Sequence, residues 1–309
     1  MGPLVGPTRS HVILRAGDEV AIIAPAASSP LPDEPLLGRA VEVLEGWGLR
    51  VRVRTERTCH HYLAGTDTVR AAHLHDALAD PAVRAIFAAR GGYGTMRLFA
   101  HLCRRIKPAQ KLLVGYSDIT ALHLAATILW PELELIHGPN VATNQFLAPE
   151  PTAEANRNAL RSALFDSGYE VDLPVEFLRV GQASGRLHGG CLSLLAATLG
   201  SRFAPTWRDA ILFLEDTHEA PYRIDRLLIQ LRNAGLFAGV AGVVFGVMQD
   251  CSDGKSDLRS IIQDVLADHA FPIAFGLTAG HGETNVTLPL HAWATLDGRA
   301  GRFRLYRQP

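Results

Sequence analysis

The sequence is short of cysteine, of net basic charge and of long apolar runs. Its four cysteines lie far apart and form no CxxC pair: Cys59, Cys103, Cys191 and Cys251. This spacing argues against a disulfide scaffold and a zinc–thiolate site, and it fits a reducing compartment. Lysine and arginine together number 30, and aspartate and glutamate 31, whereas nucleic-acid-binding proteins normally carry a clear basic excess. We therefore expect no nucleic-acid partner.

Signals for membranes and secretion are also missing. The longest runs without charge, such as Gly235–Gln249, are shorter than the roughly 18 residues that a membrane-spanning helix needs. The N-terminal sequence MGPLVGPTRS lacks the basic segment and the long apolar stretch of a signal peptide. We expect a cytoplasmic protein without a membrane partner.

What the sequence does have is the composition of a globular protein. Of its 309 residues, 48% are hydrophobic and 20% are charged, so the chain can bury a core and wholesale disorder is excluded. At roughly 150 residues per domain, this length predicts about two domains. We place an N-terminal domain at residues 1–146, an interdomain linker at 147–179 and a C-terminal domain at 180–309.

The first half alternates short apolar runs with segments at helical spacing. The apolar runs predict five strands: Val20–Ala24, Arg50–Val53, Val83–Ala89, Leu112–Gly115 and Leu133–Ile136. The segments between them predict four helices: Pro32–Trp47, Asp67–Asp80, Thr95–Arg104 and Asp118–Leu129. Strands alternating with helices in this way indicate an α/β domain, with a parallel sheet that has helices on both faces.

The pattern changes after this half. The linker holds Pro149, Pro151 and Pro174 and a polar helix near Glu154–Leu164. Beyond it, helices and strands follow in mixed order: helices Cys191–Leu199, Arg223–Arg232 and Ser256–Ala267, strands Ala210–Leu214 and Val240–Val247, and short strands from Asn285 to Tyr306. We therefore predict a smaller C-terminal domain of the β-rich α+β type.

A glycine-rich loop, Arg90–Thr95 with the sequence RGGYGT, lies between a predicted strand and a predicted helix. Its three glycines allow positive φ and a close approach of backbone N–H groups to a phosphate or an oxyanion. The loop lacks the Lys-Ser/Thr pair of a P-loop, and Arg97 stands where GxGxxG has its third glycine. Taken alone, the loop is explained better as an ordinary tight turn.

The segment Gly115-Tyr116-Ser117-Asp118 lies at the next strand-to-helix junction. A serine there exposes its hydroxyl above the carboxyl edge of the sheet, where the helix N-terminus and the Asp118 N–H face a developing oxyanion. The segment resembles a G-x-S-x-G nucleophile elbow, but Ile119 replaces the second glycine. Taken alone, an N-cap formed by Ser117 or Asp118 is the simpler explanation.

A serine nucleophile needs a base, and the base needs an orienting acid. Among thirteen histidines, His281 is the best candidate base because glycines flank it in a loop between predicted strands. Glu215 and Asp216 directly follow an apolar strand, a position that lines the cleft of α/β folds. The simpler explanations are a surface turn for His281, a solvated charge for Glu215 and an N-cap for Asp216. No HExxH motif occurs, and no P-C-x-x-C follows His281.

Taken together, these segments resemble the LD-carboxypeptidase family of serine peptidases, which includes muramoyl-tetrapeptide carboxypeptidases and microcin C immunity-type enzymes. Six motifs carry the resemblance in the family's order: RGGYGTMRL (Arg90–Leu98), VGYSDITALH (Val114–His123), HGPN (His137–Asn140), GGCLSLL (Gly189–Leu195), LFLEDTHEAPYRIDRLL (Leu212–Leu228) and GHGETNVTLPL (Gly280–Leu290). The strand–helix pattern before them also fits the family. One motif alone is weak evidence, whereas six in register are specific.

The resemblance implies a catalytic triad of nucleophile, orienting acid and base: Ser117, Glu215 and His281. It implies an oxyanion hole made by the backbone N–H groups of Gly92 and Asp118, in an active site between the two domains. It also implies a peptide substrate, a homodimer, and neither metal nor cofactor. One departure is His291, which stands where family members often have glycine.

Three functions are compatible with these residues. The first is a serine carboxypeptidase that hydrolyses the terminal L,D-type amide of murein tetrapeptides and releases D-alanine through an acyl-enzyme. The second is a hydrolase of peptidyl- or aminoacyl-nucleotide conjugates with the same triad, for which Trp207 is a candidate aromatic platform. The third is a non-catalytic phosphate- or nucleotide-binding module built on Gly91–Gly94. Candidate ligands for a substrate carboxylate are Arg90, Arg97 and Arg226, although surface helix charges explain the last two better.

Overall fold

The computed structural model describes residues 11–27, 34–55 and 59–307. The first ten residues, on which the signal-peptide expectation rests, and Pro32, where the first predicted helix begins, lie outside these ranges. The strands in chain order are β1 (Glu19–Ile23), β2 (Arg50–Arg54), β3 (Val83–Ala88), β4 (Leu112–Gly115), β5 (Glu134–His137), β6 (Glu170–Pro174), β7 (Glu176–Arg179), β8 (Gln182–Cys191), β9 (Ala210–Thr217), β10 (Val240–Gln249), β11 (Ile273–Gly280), β12 (Leu288–Pro289), β13 (Trp293–Asp297) and β14 (Arg302–Tyr306).

The helices in chain order are α1 (Glu34–Gly46), α2 (Asp67–Ala79), α3 (Ile119–Leu129), α4 (Asn144–Leu147), α5 (Pro151–Phe165), α6 (Leu192–Thr198), α7 (Pro221–Asn233) and α8 (Leu258–Val265). A 3-10 helix spans Thr95–Ala100 between β3 and β4. Within the described ranges, none of the helices has both the length and the apolar character needed to cross a membrane.

The first sheet has six strands in the order β12-β5-β4-β3-β1-β2. The five strands from the first half of the chain run parallel, and β12 pairs antiparallel with β5 at the edge. Every residue of β1 and β4 is buried, as expected when helices cover both faces of a parallel sheet. The predicted α/β fold class is confirmed, with a strand from the far end of the chain added to the sheet.

The second sheet has eight strands in the order β6-β14-β13-β8-β9-β10-β11-β7. Its centre, from β8 to β11, is parallel, and the outer strands pair antiparallel. Helices α6, α7 and α8 bury apolar residues in one core with β9 and β10. The predicted strand-rich second part of the fold is confirmed.

Several elements of the second sheet differ from the sequence-based expectations. Residues 147–179, predicted as a linker, contain α5 and the two edge strands β6 and β7. The sequence pattern set no bounds for β8 and β11, which contain three and two glycines, residues that are depleted in strands. The division into domains at residues 146 and 180 stays a prediction.

The predicted helix Thr95–Arg104 is wrong in its type and its end. The segment forms a 3-10 helix that stops at Ala100. Arg202 Nη2 donates to the carbonyl oxygens of Phe99 at 2.8 Å and of Leu102 at 2.9 Å. In a helix that continued to Arg104 the Phe99 carbonyl would accept an internal hydrogen bond, whereas here it accepts one from Arg202 instead.

Helix α3 joins the two sheets. Its sequence ITALHLAATIL is apolar nearly all round, and residues 119–126 are all buried. A helix with no polar face must be covered on every side, and α3 packs against β4 of the first sheet and against β8 and α6 on the other side. The hydroxyl of Thr120 accepts a hydrogen bond from the Cys191 N–H at 3.1 Å, so the start of α3 is fixed against the end of β8.

Candidate active site

Three side chains from distant parts of the chain meet at the carboxyl ends of the strands. Ser117 lies between β4 and α3, Glu215 lies on β9, and His281 directly follows β11. The His281 ring has Nε2 at 2.9 Å from Ser117 Oγ and Nδ1 at 2.6 Å from Glu215 Oε2. The structure therefore brings the three predicted side chains together in one hydrogen-bonded relay. Such a relay can move a proton from a hydroxyl to an imidazole that a carboxylate orients.

Ser117 occupies a strained turn. Its φ is +66°, in the left-handed region, which costs a residue other than glycine on the order of 1–3 kcal/mol. Neighbouring glycines leave room for the turn, because a Cβ on Gly91 would lie 2.9 Å from the Ser117 Cβ and one on Gly115 would lie 2.9 Å from Asn140 Oδ1. This is the geometry of a nucleophile elbow. It forms with Ile119 in place of the second glycine, since the crowding falls on Gly91 and Gly115 instead.

The carboxyl group of Glu215 is completely buried. Burial raises the pKa of this carboxyl, and the hydrogen bond and charge of His281 offset only part of that rise. Two glycines give the side chain its space: a Cβ on Gly280 would lie 2.5 Å from Glu215 Oε2, and one on Gly246 would lie 3.1 Å from the Glu215 Cβ. A carboxylate in such a site holds one ring orientation of its histidine partner.

The imidazole of His281 is largely buried between this carboxyl and Ser117. Burial alone would lower the pKa of the imidazole, but the hydrogen bond to Glu215 and the negative charge of Glu215 outweigh it and raise the pKa above its usual 6.5. The ring of Tyr116 lies against the imidazole, with centroids 5.0 Å apart. An imidazole with a raised pKa in contact with a hydroxyl is suited to act as a general base.

The glycine-rich loop lies directly beside Ser117. Gly92 has φ +102°, and a Cβ there would meet Ala27 Cβ at 2.7 Å. Among the described residues, neither the Gly92 N–H nor the Asp118 N–H donates to another residue. The Asp118 carboxylate accepts a hydrogen bond from the Thr95 N–H at 2.8 Å. This bond ties the loop to the start of α3, so both N–H groups belong to one rigid unit.

A buried arginine also binds the glycine-rich loop. The side chain of Arg70 on α2 is fully buried and donates to the carbonyl oxygens of Pro25 and of Gly94, the latter at 3.0 Å. The sequence pattern did not indicate this role, nor those of Thr95 and Asn140. The Asn140 amide group accepts a hydrogen bond from the Tyr116 N–H and donates one to the Tyr116 carbonyl oxygen. Asn140 belongs to the HGPN motif, which was the one available signal.

The remaining candidates lie outside the relay. Arg97 forms a bidentate ion pair with Asp67, and Arg226 lies over the ring of Tyr222. Arg90 is half-buried. Trp207 is nearly buried and stacks on His188, with ring centroids 5.3 Å apart, so its contacts here are packing contacts.

His291, at the position often occupied by glycine, adopts a φ of +67°. The turn therefore has the backbone conformation that favours glycine, and the chain forms it with histidine. Its Nε2 lies 3.4 Å from Thr127 Oγ1, and its ring lines a cavity of about 360 Å³ together with Arg186 and His188.

Comparisons with known proteins match both halves of the chain to one family. Residues 20–138 match the model of the LD-carboxypeptidase N-terminal domain, and residues 184–296 match that of the C-terminal domain. A Streptomyces coelicolor protein named "Putative carboxypeptidase" is 40% identical over 99% of this chain and 98% of its own. A Bacillus subtilis protein named "Probable murein peptide carboxypeptidase" is 36% identical over 92% of this chain and 90% of its own.

Solved structures show the same fold. The crystal structure of muramoyltetrapeptide carboxypeptidase from Oxalobacter formigenes aligns with a TM-score of 0.82 and 28% identity, over 94% of this chain and all of the other. The structure of MccF in complex with glutamyl sulfamoyl guanosine aligns with a TM-score of 0.86 over 96% of this chain and 98% of the other, at 22% identity. At that identity the second likeness is one of fold alone.

Proposed function

Since the chain belongs to the LD-carboxypeptidase family, we propose that it is a serine carboxypeptidase that hydrolyses the terminal L,D-type amide of murein tetrapeptides and releases D-alanine. The observation that carries the proposal is the relay from Ser117 through His281 to Glu215, with contacts of 2.9 and 2.6 Å. The names of the Bacillus subtilis and Oxalobacter formigenes relatives support a murein peptide as the substrate.

The reaction follows from the protonation states of the relay. His281 Nε2 takes the proton of the Ser117 hydroxyl while Oγ attacks the terminal amide carbonyl. Glu215 holds the proton on Nδ1 and stabilises the imidazolium that forms. The imidazolium then gives its proton to the leaving D-alanine nitrogen, the C–N bond breaks, and an acyl-Ser117 ester remains. Water, deprotonated by His281, attacks this ester, and Ser117 regains its proton.

The tetrahedral intermediates carry a negative oxygen that needs hydrogen-bond donors. We propose the backbone N–H groups of Gly92 and Asp118 for this role. Their support is the rigid connection between the loop and α3, made by the hydrogen bond from the Thr95 N–H to the Asp118 carboxylate, since pre-organised donors lose no energy by reorienting during the reaction. One such donor is typically worth about 3 kcal/mol of transition-state stabilisation.

Incubation of the purified protein with a murein tetrapeptide tests the substrate directly. We expect mass spectrometry to show the loss of one alanine and the appearance of the tripeptide. A parallel incubation with an aminoacyl sulfamoyl-adenylate tests the second candidate function. Cleavage of the conjugate without cleavage of the tetrapeptide would replace the proposed substrate with a nucleotide conjugate.

A fluorophosphonate probe separates hydrolysis from simple binding. We expect labelling at Ser117, because the probe reacts with an activated serine hydroxyl whatever the natural substrate is. Nucleotide-induced thermal stabilisation without labelling would instead support the non-catalytic phosphate-binding module on the glycine-rich loop.

We expect kcat/KM to fall at acidic pH. The base must be neutral to accept the Ser117 proton, so kcat/KM decreases about tenfold per pH unit below the pKa of His281. Because Glu215 raises this pKa above 6.5, the decrease begins at a higher pH than for an ordinary histidine. A pH profile of kcat/KM on the tetrapeptide provides the measurement, and constant activity down to pH values well below 6 would contradict the role of His281.

We also expect Gly91→Ala to impair the enzyme. The new Cβ would lie 2.9 Å from the Cβ and 3.1 Å from the Oγ of Ser117, so the hydroxyl must move. A displacement of this kind costs on the order of 100-fold in kcat. The matched control is Gly38→Ala on α1, where the added Cβ meets nothing within 4 Å. Steady-state kinetics of both variants decide the matter, and wild-type kcat in Gly91→Ala would show that Ser117 tolerates the contact.

The cellular setting belongs to the proposal as well. We propose that the enzyme acts in the cytoplasm as a homodimer, as the family resemblance implies. Fractionation of cells that produce the protein and light scattering of the purified protein test the two statements. Recovery in another compartment or the mass of a monomer would contradict them.

A further inference from the structure

The loop that carries His281 is held by three amide side chains that take no part in the proton relay. They come from α4, from α5 and from the loop itself, and we call them the amide bracket: Gln145, Asn156 and Asn285. Gln145 Nε2 donates to the carbonyl oxygens of Gly280, at 3.0 Å, and of Gly282, at 2.6 Å. These two carbonyl groups flank His281, so one amide group fixes the backbone on both sides of the imidazole.

The other two amides complete the bracket. Asn156 Nδ2 donates to the carbonyl oxygens of Gln145, at 3.0 Å, and Glu283, at 2.7 Å, while its Oδ1 accepts from the Asn285 N–H at 2.8 Å. Asn285 Oδ1 accepts from the Gly280 N–H at 2.9 Å, and its Nδ2 donates to Gln145 Oε1 at 3.1 Å. Every amide nitrogen and oxygen of the three side chains therefore has a partner.

Burial increases the energetic cost of breaking these hydrogen bonds. Asn156 and Asn285 have 1% and 0% of their surface exposed. A buried amide group that loses its partner keeps the full cost of its desolvation, so an interior network that is completely satisfied has one favoured arrangement. The loop is therefore restricted to a single backbone path between Gly280 and Asn285.

We propose that Gln145, Asn156 and Asn285 are positioning residues that set the distance between the His281 imidazole and the Ser117 hydroxyl. This inference rests on the proposed triad. Ser117 follows β4 of the first sheet, whereas His281 follows β11 of the second. Residues Gln145 and Asn156 precede the strands of the second sheet, and α4 packs on α1, which covers the first sheet. The bracket thus fastens the histidine loop to the side of the molecule that carries the nucleophile.

The test uses two substitutions at Gln145, which is half-buried at the surface end of the bracket. Gln145→Met removes both donated hydrogen bonds at nearly constant side-chain length. Gln145→Glu keeps an acceptor for Asn285 Nδ2 but also loses the donors to Gly280 and Gly282. Because a shift of the base of about 1 Å costs up to about 100-fold, we expect both variants to lose about 10- to 100-fold in kcat with KM within twofold of the wild type.

Two controls separate positioning from a general loss of structure. Gln230→Met removes a comparable bond, from Gln230 Nε2 to the Ala196 carbonyl at 3.2 Å between α7 and α6, and we expect its kcat to stay within twofold. Asn156→Asp keeps the acceptor for the Asn285 N–H and loses both donors, so it repeats the test inside the bracket. Circular dichroism and melting curves show which variants are folded at the assay temperature.

The acid limb of the pH profile of kcat/KM distinguishes a positioning role from a merely structural one, because a structural role would leave the pKa of His281 unchanged. The titratable groups around His281 are Glu215 and Asp216 on β9, Tyr116 beside Ser117 and His137 at the end of β5. Glu215 contributes most of the upward shift in the pKa of the imidazole. When the loop relaxes away from Glu215, this limb moves to lower pH, and we expect that shift in Gln145→Met but not in Gln230→Met.

The rate of fluorophosphonate labelling at Ser117 keeps this inference separable from the proposed substrate. We expect the labelling rate of folded Gln145→Met to fall by the same 10- to 100-fold as kcat. If the wild type is labelled but leaves the tetrapeptide uncut, the substrate is wrong and the labelling comparison still stands. If folded Gln145→Met and Asn156→Asp are labelled at the wild-type rate, the positioning role is overturned. An unlabelled wild type would overturn the triad and this inference together.

Discussion

Ser117→Ala is expected to abolish turnover while leaving the fold intact. The hydroxyl removed is the one at 2.9 Å from His281 Nε2, and without it no acyl-enzyme can form. Loss of the nucleophile in serine peptidases lowers kcat by about 10⁵- to 10⁶-fold. The wild-type residue already has a φ of +66° and caps no helix, so the free energy of unfolding should change by less than about 1 kcal/mol.

The matched control for this variant is Ser260→Ala. Ser260 lies on α8, where its hydroxyl donates to Asp257 Oδ2 at 2.6 Å at the solvent-exposed start of the helix. We expect full turnover from this control, in parallel assays of tripeptide formation and thermal melting. A Ser117→Ala enzyme that keeps more than about 1% of the wild-type kcat would exclude the acyl-enzyme route.

Glu215→Gln is expected to lower kcat by about 10³- to 10⁴-fold and to leave the protein as stable as before or more stable. An amide of the same shape can donate to His281 Nδ1, which places the ring proton on Nε2, where it faces Ser117 and blocks its role as base. The loss of the carboxylate also lowers the pKa of the imidazole. Burial disfavours the charged form of Glu215, and a glutamine of the same shape keeps a hydrogen bond to His281, so the melting temperature should not fall.

Glu219→Gln is the control for this change. Glu219 lies four residues further along and forms an ion pair of 3.5 Å with Arg223 on the surface, an interaction worth at most about 1 kcal/mol. We therefore expect the two glutamine variants to differ strongly in kcat, and neither to show a lower melting temperature than the wild type. Comparable activity in both would show that the carboxylate of Glu215 does not orient the base.

The strands of the first half were predictable because β1, β3 and β4 are short, apolar runs, and α2 and α3 between or after them each follow a predicted helical segment. The three side chains of the relay were predictable for a related reason. Each stands directly after or at the end of a strand, in a motif that resembles one family, and parallel strands present their carboxyl ends at one edge. The sequence thus predicted which side chains meet.

Contacts between distant polar residues were not predictable. Gln145 and Gly280 are 135 residues apart, and a glutamine in a four-residue helix gives no periodic signal. From the sequence, Arg70 would be predicted to be a surface charge on an amphipathic helix, because arginine is seldom buried. Arg202, about a hundred residues away, donates to the carbonyl groups of Phe99 in the last turn of the 3-10 helix and of Leu102 just after it. In each case tertiary contacts override the local pattern.

The short strand β12 has a consequence for how the polypeptide can be divided. Leu288 and Pro289 pair with His137 and Ile136, and the Leu290 N–H donates to the Leu135 carbonyl at 2.8 Å. Residues 288–290 thus complete the sheet that the first half of the chain builds. A polypeptide severed near its midpoint leaves β5 as an open edge, prone to pair with other molecules. The two halves are interlocked, and neither can be exchanged between homologues as a self-sufficient module.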